Sequence, residues 1–491
     1  MLLAAGLPAT EVVWSDLAPI LVMLGAVAVL MLLGTMWHRW TNVATTGVTV
    51  TAAAAAAILA GAKWVDLGEE PASTIMSGAL YVDRFSVFSS VVVFVVLAGA
   101  SLLLLVHKRA EGTSGPELEV LFLAAAIGAV VMASANDLIV LFLGLETLSL
   151  ALYVLAASSR GREESEEAGL KYFVLGGFAS AFLLYGIALV YGSTGSTRIS
   201  EVAGVLGGSV GVGTRDSVLL LGIGMMLVGL GFKVSAVPFQ SWTPDVYQGS
   251  PSPVTAFMAS AGKVGAFAAL LRVVVTGFET RVDDWRPVVW LLAVASILVG
   301  SALATVQTNV KRMLAYSSVA HAGFVLVGLE AAGHYGGIGV APAMAYLAVY
   351  AVMSLGSFAA VMAAVGGGNG DLADLRGFSR RSPLLALAFS VLLFAQAGVP
   401  LTAGFVAKFG VIRAAVDAGS YAVAVAAMVA AVIGAYLYLR IVVSVWLEEG
   451  GEMDRSPVPR PLAVVVIGAA AAVLVVGVWP QLLLGAADLV G

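Results

Sequence analysis

The stretch LIVLFLGLETLSLALYVL, Leu138–Leu155, decides how the rest of the chain is read. It is apolar almost throughout, yet it carries one acid, Glu146, near its centre. A helix needs about 20 apolar residues to cross a bilayer, and this run with its flanks meets that length. Working outward, comparable runs recur near 17–36, 43–62, 84–106, 118–134, 137–157, 170–192, 216–237, 253–276, 287–306, 313–331, 339–365, 384–416, 419–447 and 461–481. The composition agrees: of 491 residues 60% are hydrophobic and only 11% charged, against about 45–50% and about 25% in ordinary soluble proteins. Too few charges remain to cover a water-facing surface, which excludes soluble enzymes, nucleic-acid binders and disordered chains. The sequence predicts an all-α polytopic membrane protein with about 14 transmembrane helices.

The net charge of -5 says little about partners, because loop position outweighs the total. There is no cysteine, so disulfides, thiolate zinc sites and iron–sulfur ligation by this chain are excluded. The four histidines, His38, His107, His321 and His334, have no metal-ligand spacing, and any redox centre belongs on another polypeptide. Glu11 and Asp16 precede the first apolar run where a signal peptide would carry basic residues, which predicts an uncleaved first span. With the amino terminus outside, twelve loop Lys and Arg residues, Arg39, Lys108, Lys311 and Arg455 among them, fall inside and seven outside. The positive-inside rule therefore favours an even number of spans with both termini extracytoplasmic.

Two segments interrupt the helical pattern. Ala236–Pro253 has four prolines, three aromatic residues and no Lys or Arg; Gly398-Val399-Pro400 breaks a run too long for one straight crossing. Proline frees carbonyls that lipid cannot satisfy, so such backbone at membrane depth must be enclosed by protein or line a wet cavity. The first segment reads either as a Pro-rich connector or as a discontinuous helix beside an ion pathway. The breaks stand five spans apart, as two five-helix units would require, and paired interruptions mark the binding region of repeat-built transporters. The expected organisation is helices 1–3 over residues 1–117, a first unit over 118–276, a second over 277–447, and a last helix over 448–491.

Depth separates ordinary charges from suspicious ones, since a charge at mid-bilayer costs roughly 2.5–3.5 kcal/mol on the insertion scale. Lys171, Arg272 and Arg440 lie near span ends, where long side chains snorkel to the interface. Glu146 is expected to be the only acid deep within a span, with Lys233, Lys263 and Lys408 near or within others and His321 among small residues. Desolvation favours a neutral lysine and a nearby carboxylate favours a charged one, so a Glu146–Lys233 pair would be a tunable switch. Lys263, His321 and Lys408 would continue it as a proton relay or a cation pathway. No nucleophilic triad, phosphate-cradling loop or dinucleotide fingerprint is present.

The strings Leu141-Phe142-Leu143-Gly144-Leu145-Glu146, Leu170-Lys171-Tyr172-Phe173 and Phe232-Lys233, with Pro244-Asp245-Val246-Tyr247, resemble the antiporter-like subunits of respiratory complex I, most closely the N-type branch. The resemblance implies two inverted five-helix repeats with broken seventh and twelfth helices. It makes Glu146 and Lys233 the charge pair, Lys263 the central relay, His321 the link between half-channels and Lys408 the exit-side lysine. The M-type paralogue usually has Glu at the Lys408 position, and both L and M types tend to have His near position 263; the L type adds a lateral helix that this chain lacks. The implied role is proton translocation in the membrane arm of a bacterial NADH–quinone oxidoreductase in the cell membrane, beside M-type and K/J/A-type neighbours. FMN, iron–sulfur clusters and quinone would belong to partner subunits, with no cofactor on this chain. A subunit of a multi-subunit cation/proton antiporter shares these features, and a purely structural scaffold is the reading from a different class.

Overall fold

A computed structural model describes residues 13–36, 41–68, 72–208, 216–334, 337–366, 370–448 and 457–490. The expectations resting on Glu11, His38, Arg39 and Arg455 lie outside the described residues. The architecture is almost wholly helical, as lipid demands of backbone that must satisfy its own hydrogen bonds. The first helices are α1 Trp14–Met36, α2 Asn42–Asp66, α3 Arg84–Glu111, α4 Glu117–Ser134, α5 Leu138–Ala156 and α6 Glu163–Thr194. A short α7, Ile199–Leu206, leads to α8, Asp216–Lys233, and the eight-residue α9, Trp242–Gly249. Then come α10 Ser252–Gly277, α11 Val282–Thr305, α12 Val310–Ala332 and α13 Val340–Val365. Last are α14 Pro383–Ala397, α15 Ala403–Asp417, α16 Tyr421–Trp446, α17 Arg460–Val478 and α18 Gln481–Ala487.

Among the described residues thirteen helices are long and apolar enough to cross a membrane. The remaining expected span, 384–416, is occupied by α14 and α15, each 15 residues and separately too short. A two-stranded antiparallel hairpin, Ser73–Ile75 with Leu80–Val82, joins α2 to α3. Helix starts follow the capping rule that a short polar side chain takes up an orphan N–H. Asp83 accepts from Ser86 N at α3, Asp137 from Ile139 N at α5, and Asn309 from Arg312 N at α12.

The centre of the bundle is α10, whose membrane window is wholly buried, with α12 and α13 the next most buried. It packs against α3, α4, α5, α8 and α13. Two π-helical stretches, Met258–Gly262 and Arg272–Gly277, bracket the Lys263–Leu271 segment; such widenings are rare and frequent at functional sites. The perimeter helices α1, α6, α16 and α17 turn Leu, Val and Phe outward, among them Leu32, Phe178, Val432 and Val464. Small residues let backbones touch: a Cβ on Gly186 of α6 would stand 2.8 Å from the Gly222 carbonyl of α8.

Two basic residues depart from their expected places. Lys108 is not a loop residue; it is buried in the last turn of α3 and pairs at 2.8 Å with Glu119, also fully buried, in α4. Thr45 and Gly115 complete the enclosure. Arg272 does not reach for the interface: it is 6% exposed, bonded through two nitrogens to Asp83, with the Tyr81 and Phe85 rings over its guanidinium. Both helix ends are covered by other segments of the chain, so an ion pair replaces solvent. Lys171 matches expectation, 40% exposed and paired to Glu167 and Asp245. Arg440 is half-buried and donates to the Thr305 and Gln307 carbonyls.

Candidate functional site

The first interruption begins where α8 stops at Lys233. Ser235 takes a left-handed conformation, φ 65°, Val237–Pro238 is cis, and a 3-10 turn at Phe239–Ser241 leads into α9. The freed backbone is enclosed by protein: Trp242 Nε1 donates to the Phe232 carbonyl at 3.1 Å, and Val237 N donates to Ser296 Oγ at 2.9 Å. The chain between α8 and α9 is thus an interruption enclosed by protein rather than an exposed loop. Lys233, 6% exposed, donates to Ser149 Oγ at 2.8 Å and to Tyr172 OH at 3.0 Å, with the Tyr153 and Tyr172 rings 5.7 and 5.0 Å from its nitrogen.

Glu146 does not form a direct ion pair with Lys233. It is half-buried on a face of α5 that turns Leu143 and Leu150 outward, and its carboxylate accepts from Ser180 of α6. The two groups still act on each other electrostatically. A cavity of about 10 Å³ lined by Ser149, Ser180 and Lys233 lies beside the lysine, about the room one water needs. The pair expected from the sequence is not in direct contact in the structure.

Lys263, 2% exposed at the centre of α10, donates to the Ser318 carbonyl of α12 at 2.7 Å. Tyr350 of α13 donates to Ser318 Oγ at 2.7 Å and stacks its ring 4.9 Å from His321. His321, one turn on, shares hydrogen bonds through Nδ1 with Tyr346 OH at 2.7 Å and through Nε2 with Tyr438 OH at 3.0 Å. Tyr438 also bonds Ser317 Oγ at 2.6 Å. These hydroxyls both donate and accept, so the cluster can pass a proton without net charge on any tyrosine.

The second interruption closes the row. Gly398 ends α14 at φ 91°, where any side chain would be strained and a Cβ would stand 3.0 Å from Lys408 Cδ. Lys408, in the second turn of α15, folds back to donate to the Gln396 and Ala397 carbonyls at 2.7 and 3.0 Å. A cation thus sits on the negative end of a half-helix. A cavity of about 10 Å³ lined by Ser317, His321, Lys408 and Tyr438 joins it to the centre.

With this geometry in view, the comparisons are specific. The family model described as "NADH:quinone oxidoreductase/Mrp antiporter, TM" matches residues 135–434. The chain belongs to this family. A NADH-quinone oxidoreductase subunit N from Herpetosiphon aurantiacus is 42% identical over 415 residues, covering 83% of each chain. One from Sphingopyxis alaskensis is 45% identical over 410 residues, covering 83% of this chain and 82% of that protein. A chain of respiratory complex I from Thermus thermophilus superposes with TM-score 0.81 at 34% identity, over 96% of this chain and all of that one. A chain of the Mrp complex from a Dietzia species shares the fold, TM-score 0.86 at 21% identity over 97% of both.

Within this family fold, Lys233, Lys263, His321 and Lys408 are buried, Glu146 is half-buried at the face of α5, and the acids are distributed differently from expectation. Glu146 is not the most enclosed acid: Glu119 and Glu330 are 0 and 2% exposed near helix ends. The hydroxyl partners Ser149, Tyr172, Ser180, Tyr346, Tyr350 and Tyr438 were not singled out. Their signal was polar side chains inside apolar runs, as in Tyr436-Leu437-Tyr438, and it is weak because hydroxyls are ordinary in helices. No group of three or more His, Cys, Asp or Glu that could hold a metal occurs among the described residues.

Proposed function

We propose that this chain is a proton-translocating, N-type membrane subunit of an NADH–quinone oxidoreductase, in which protons move along Glu146, Lys233, Lys263, His321 and Lys408. The observation that carries the reading is the continuity of the row. A lysine bonded to hydroxyls, two lysines bonded to main-chain carbonyls, a histidine held by two tyrosines and two water-sized cavities lie within the buried helices. A buried lysine without an ion-pair partner is costly, and five ionisable groups along one line make little sense as packing. Residues 118–276 and 277–447 would act as two five-helix units, inverted relative to one another, each contributing one interrupted helix. Both termini would be extracytoplasmic in a bacterial cell membrane. FMN, iron–sulfur clusters and quinone would sit on partner subunits, with M-type and K/J/A-type membrane subunits alongside.

Lys263→Met in the complete complex, reconstituted into sealed proteoliposomes, tests the reading. Proton translocation per NADH oxidised should fall tenfold or more, on the order of the 1.4 kcal/mol that each factor of ten represents, with the complex still assembled. A normal proton yield would return the chain to a scaffold role. Cation/proton exchange by vesicles lacking any redox partner would favour the antiporter reading instead.

A further inference from the structure

Glu330 occupies a position that ordinary packing disfavours twice. It is 2% exposed, and it lies in the last turn of α12, where the helix dipole repels negative charge. Among the described residues no Lys or Arg pairs with it. Arg286 lays its stem against Gly333 without reaching the carboxylate, and Arg413 on α15 is tied to Asp417. Its partners are Ser420 Oγ, which donates at 2.8 Å, and His334 Nε2 at 3.2 Å; its second oxygen has no partner. His334 is 23% exposed and Ser420 half-buried, so the carboxylate is joined to the surface through an imidazole and a hydroxyl. Ser420 also lies 3.3 Å from that ring, which closes a three-residue cluster.

The cluster stands at the far end of the row. α15 runs beside α12 from Lys408, whose nitrogen lies 5.0 Å from the Phe324 ring, past Val411 against Gly328, to Ser420 beside Glu330. We propose that Glu330, with His334 and Ser420, is the group that exchanges protons between Lys408 and the aqueous surface at this end of the bundle. The proposal rests on the proton-relay reading above. The N–H bond of the Lys408 ammonium breaks and, through intervening water, an O–H bond forms on Glu330. The carboxyl then passes its proton to His334 Nε2, and the imidazolium releases one to bulk water. Glu330 and His334 end as they began, one proton has reached bulk water, and Lys408, left as the neutral amine, takes its next proton from the His321 side of the relay.

Three variants of the complete complex in sealed proteoliposomes test this, with assembly checked by copurification. Glu330→Gln keeps the shape and the Ser420 bond but cannot accept the proton, so coupled proton flux should fall severalfold. Glu330→Asp keeps a carboxylate, though a shorter one, and should retain more flux than Gln. A packing role predicts the reverse order, because the neutral isostere suits a buried helix end better; that order, or normal flux in Glu330→Gln, overturns the proposal. Lys263→Met is assayed alongside. If it loses flux while Glu330→Gln keeps it, only the exchange site fails; if it too keeps normal flux, the relay fails and the site with it.

Discussion

At the first interruption Lys233 donates to side-chain hydroxyls, Ser149 and Tyr172, whereas at the second Lys408 donates to the main-chain carbonyls of Gln396 and Ala397. Hydroxyls rotate, and Ser149 Oγ already has another acceptor in the Leu145 carbonyl at 2.6 Å. Carbonyls at a helix end are fixed in direction. The charge environments differ as well. Glu146 acts on Lys233 from a half-exposed face of α5, while Lys408 has no carboxylate in ion-pair contact among the described residues and relies on the half-helix end. The contrast teaches that Lys233 is held by groups that can change, with Glu146 on a partly exposed face, and Lys408 by groups that cannot. On the proposed relay, control would belong at the first interruption and a fixed receiving point at the second.

Substituting each lysine by Met gives the largest effect and is the most direct way to break this comparison. Both variants should stop coupled proton movement. Lys408→Met should also destabilise the protein, because two buried helix-end carbonyls lose their donor and each unsatisfied buried group costs about 1–3 kcal/mol. Lys233→Met should cost less, since its hydroxyl partners can turn elsewhere. Thermal unfolding of the two purified variant complexes measures the difference. A larger loss for Lys233→Met would mean that the first interruption is the rigid one.

A smaller effect sharpens the other half of the comparison. Glu146→Gln removes charge while keeping size and the bond from Ser180, so the hold on Lys233 should weaken with little change in stability. Coupled proton flux should drop severalfold, less than for Lys263→Met. Ser180→Ala should reduce flux less again, because it only frees the carboxylate to reorient. If Ser180→Ala proved the more damaging, the hydroxyl rather than the charge would be the controlling element.

What was legible in the sequence follows the same physics. Lys263, Glu146 and the proline and glycine breaks stand out because charge and helix-breaking residues are conspicuous in apolar runs. The partners of those residues were not legible. Tyr438 meets His321 across 117 positions, and no local pattern records how α12 and α16 are rotated against each other. Lys108 and Glu119 were obscured differently: hydropathy places span ends only to within a turn or so, and both sit in that margin, where burial depends on which loops fold over them. Glu330 shares that margin. Hydropathy thus located the interior and its anomalies, while tertiary packing decided which anomalies touch.

The smallest effect on proton yield belongs to a region outside both interruptions, which makes it the control for the comparison. Asp83 caps α3 at the rim and is bonded to Arg272. Burial pushes its carboxyl up, but the Arg272 guanidinium and the Ser86 bonds pull it down further, and the balance lies below the ordinary value of 3.8. A depressed folded value means the unfolded chain binds protons first as pH falls. The pair's contribution is therefore complete above about pH 3.8 and lost as pH falls through the lower folded value. With Arg272 only 6% exposed, removing its carboxylate partner should cost on the order of 3 kcal/mol. Asp83→Asn should lower the melting temperature at neutral pH and flatten the acid end of its pH dependence, while leaving proton yield per NADH unchanged. A drop in proton yield as large as that of Glu146→Gln would extend control beyond the first interruption, and the division of labour drawn between the two would fail.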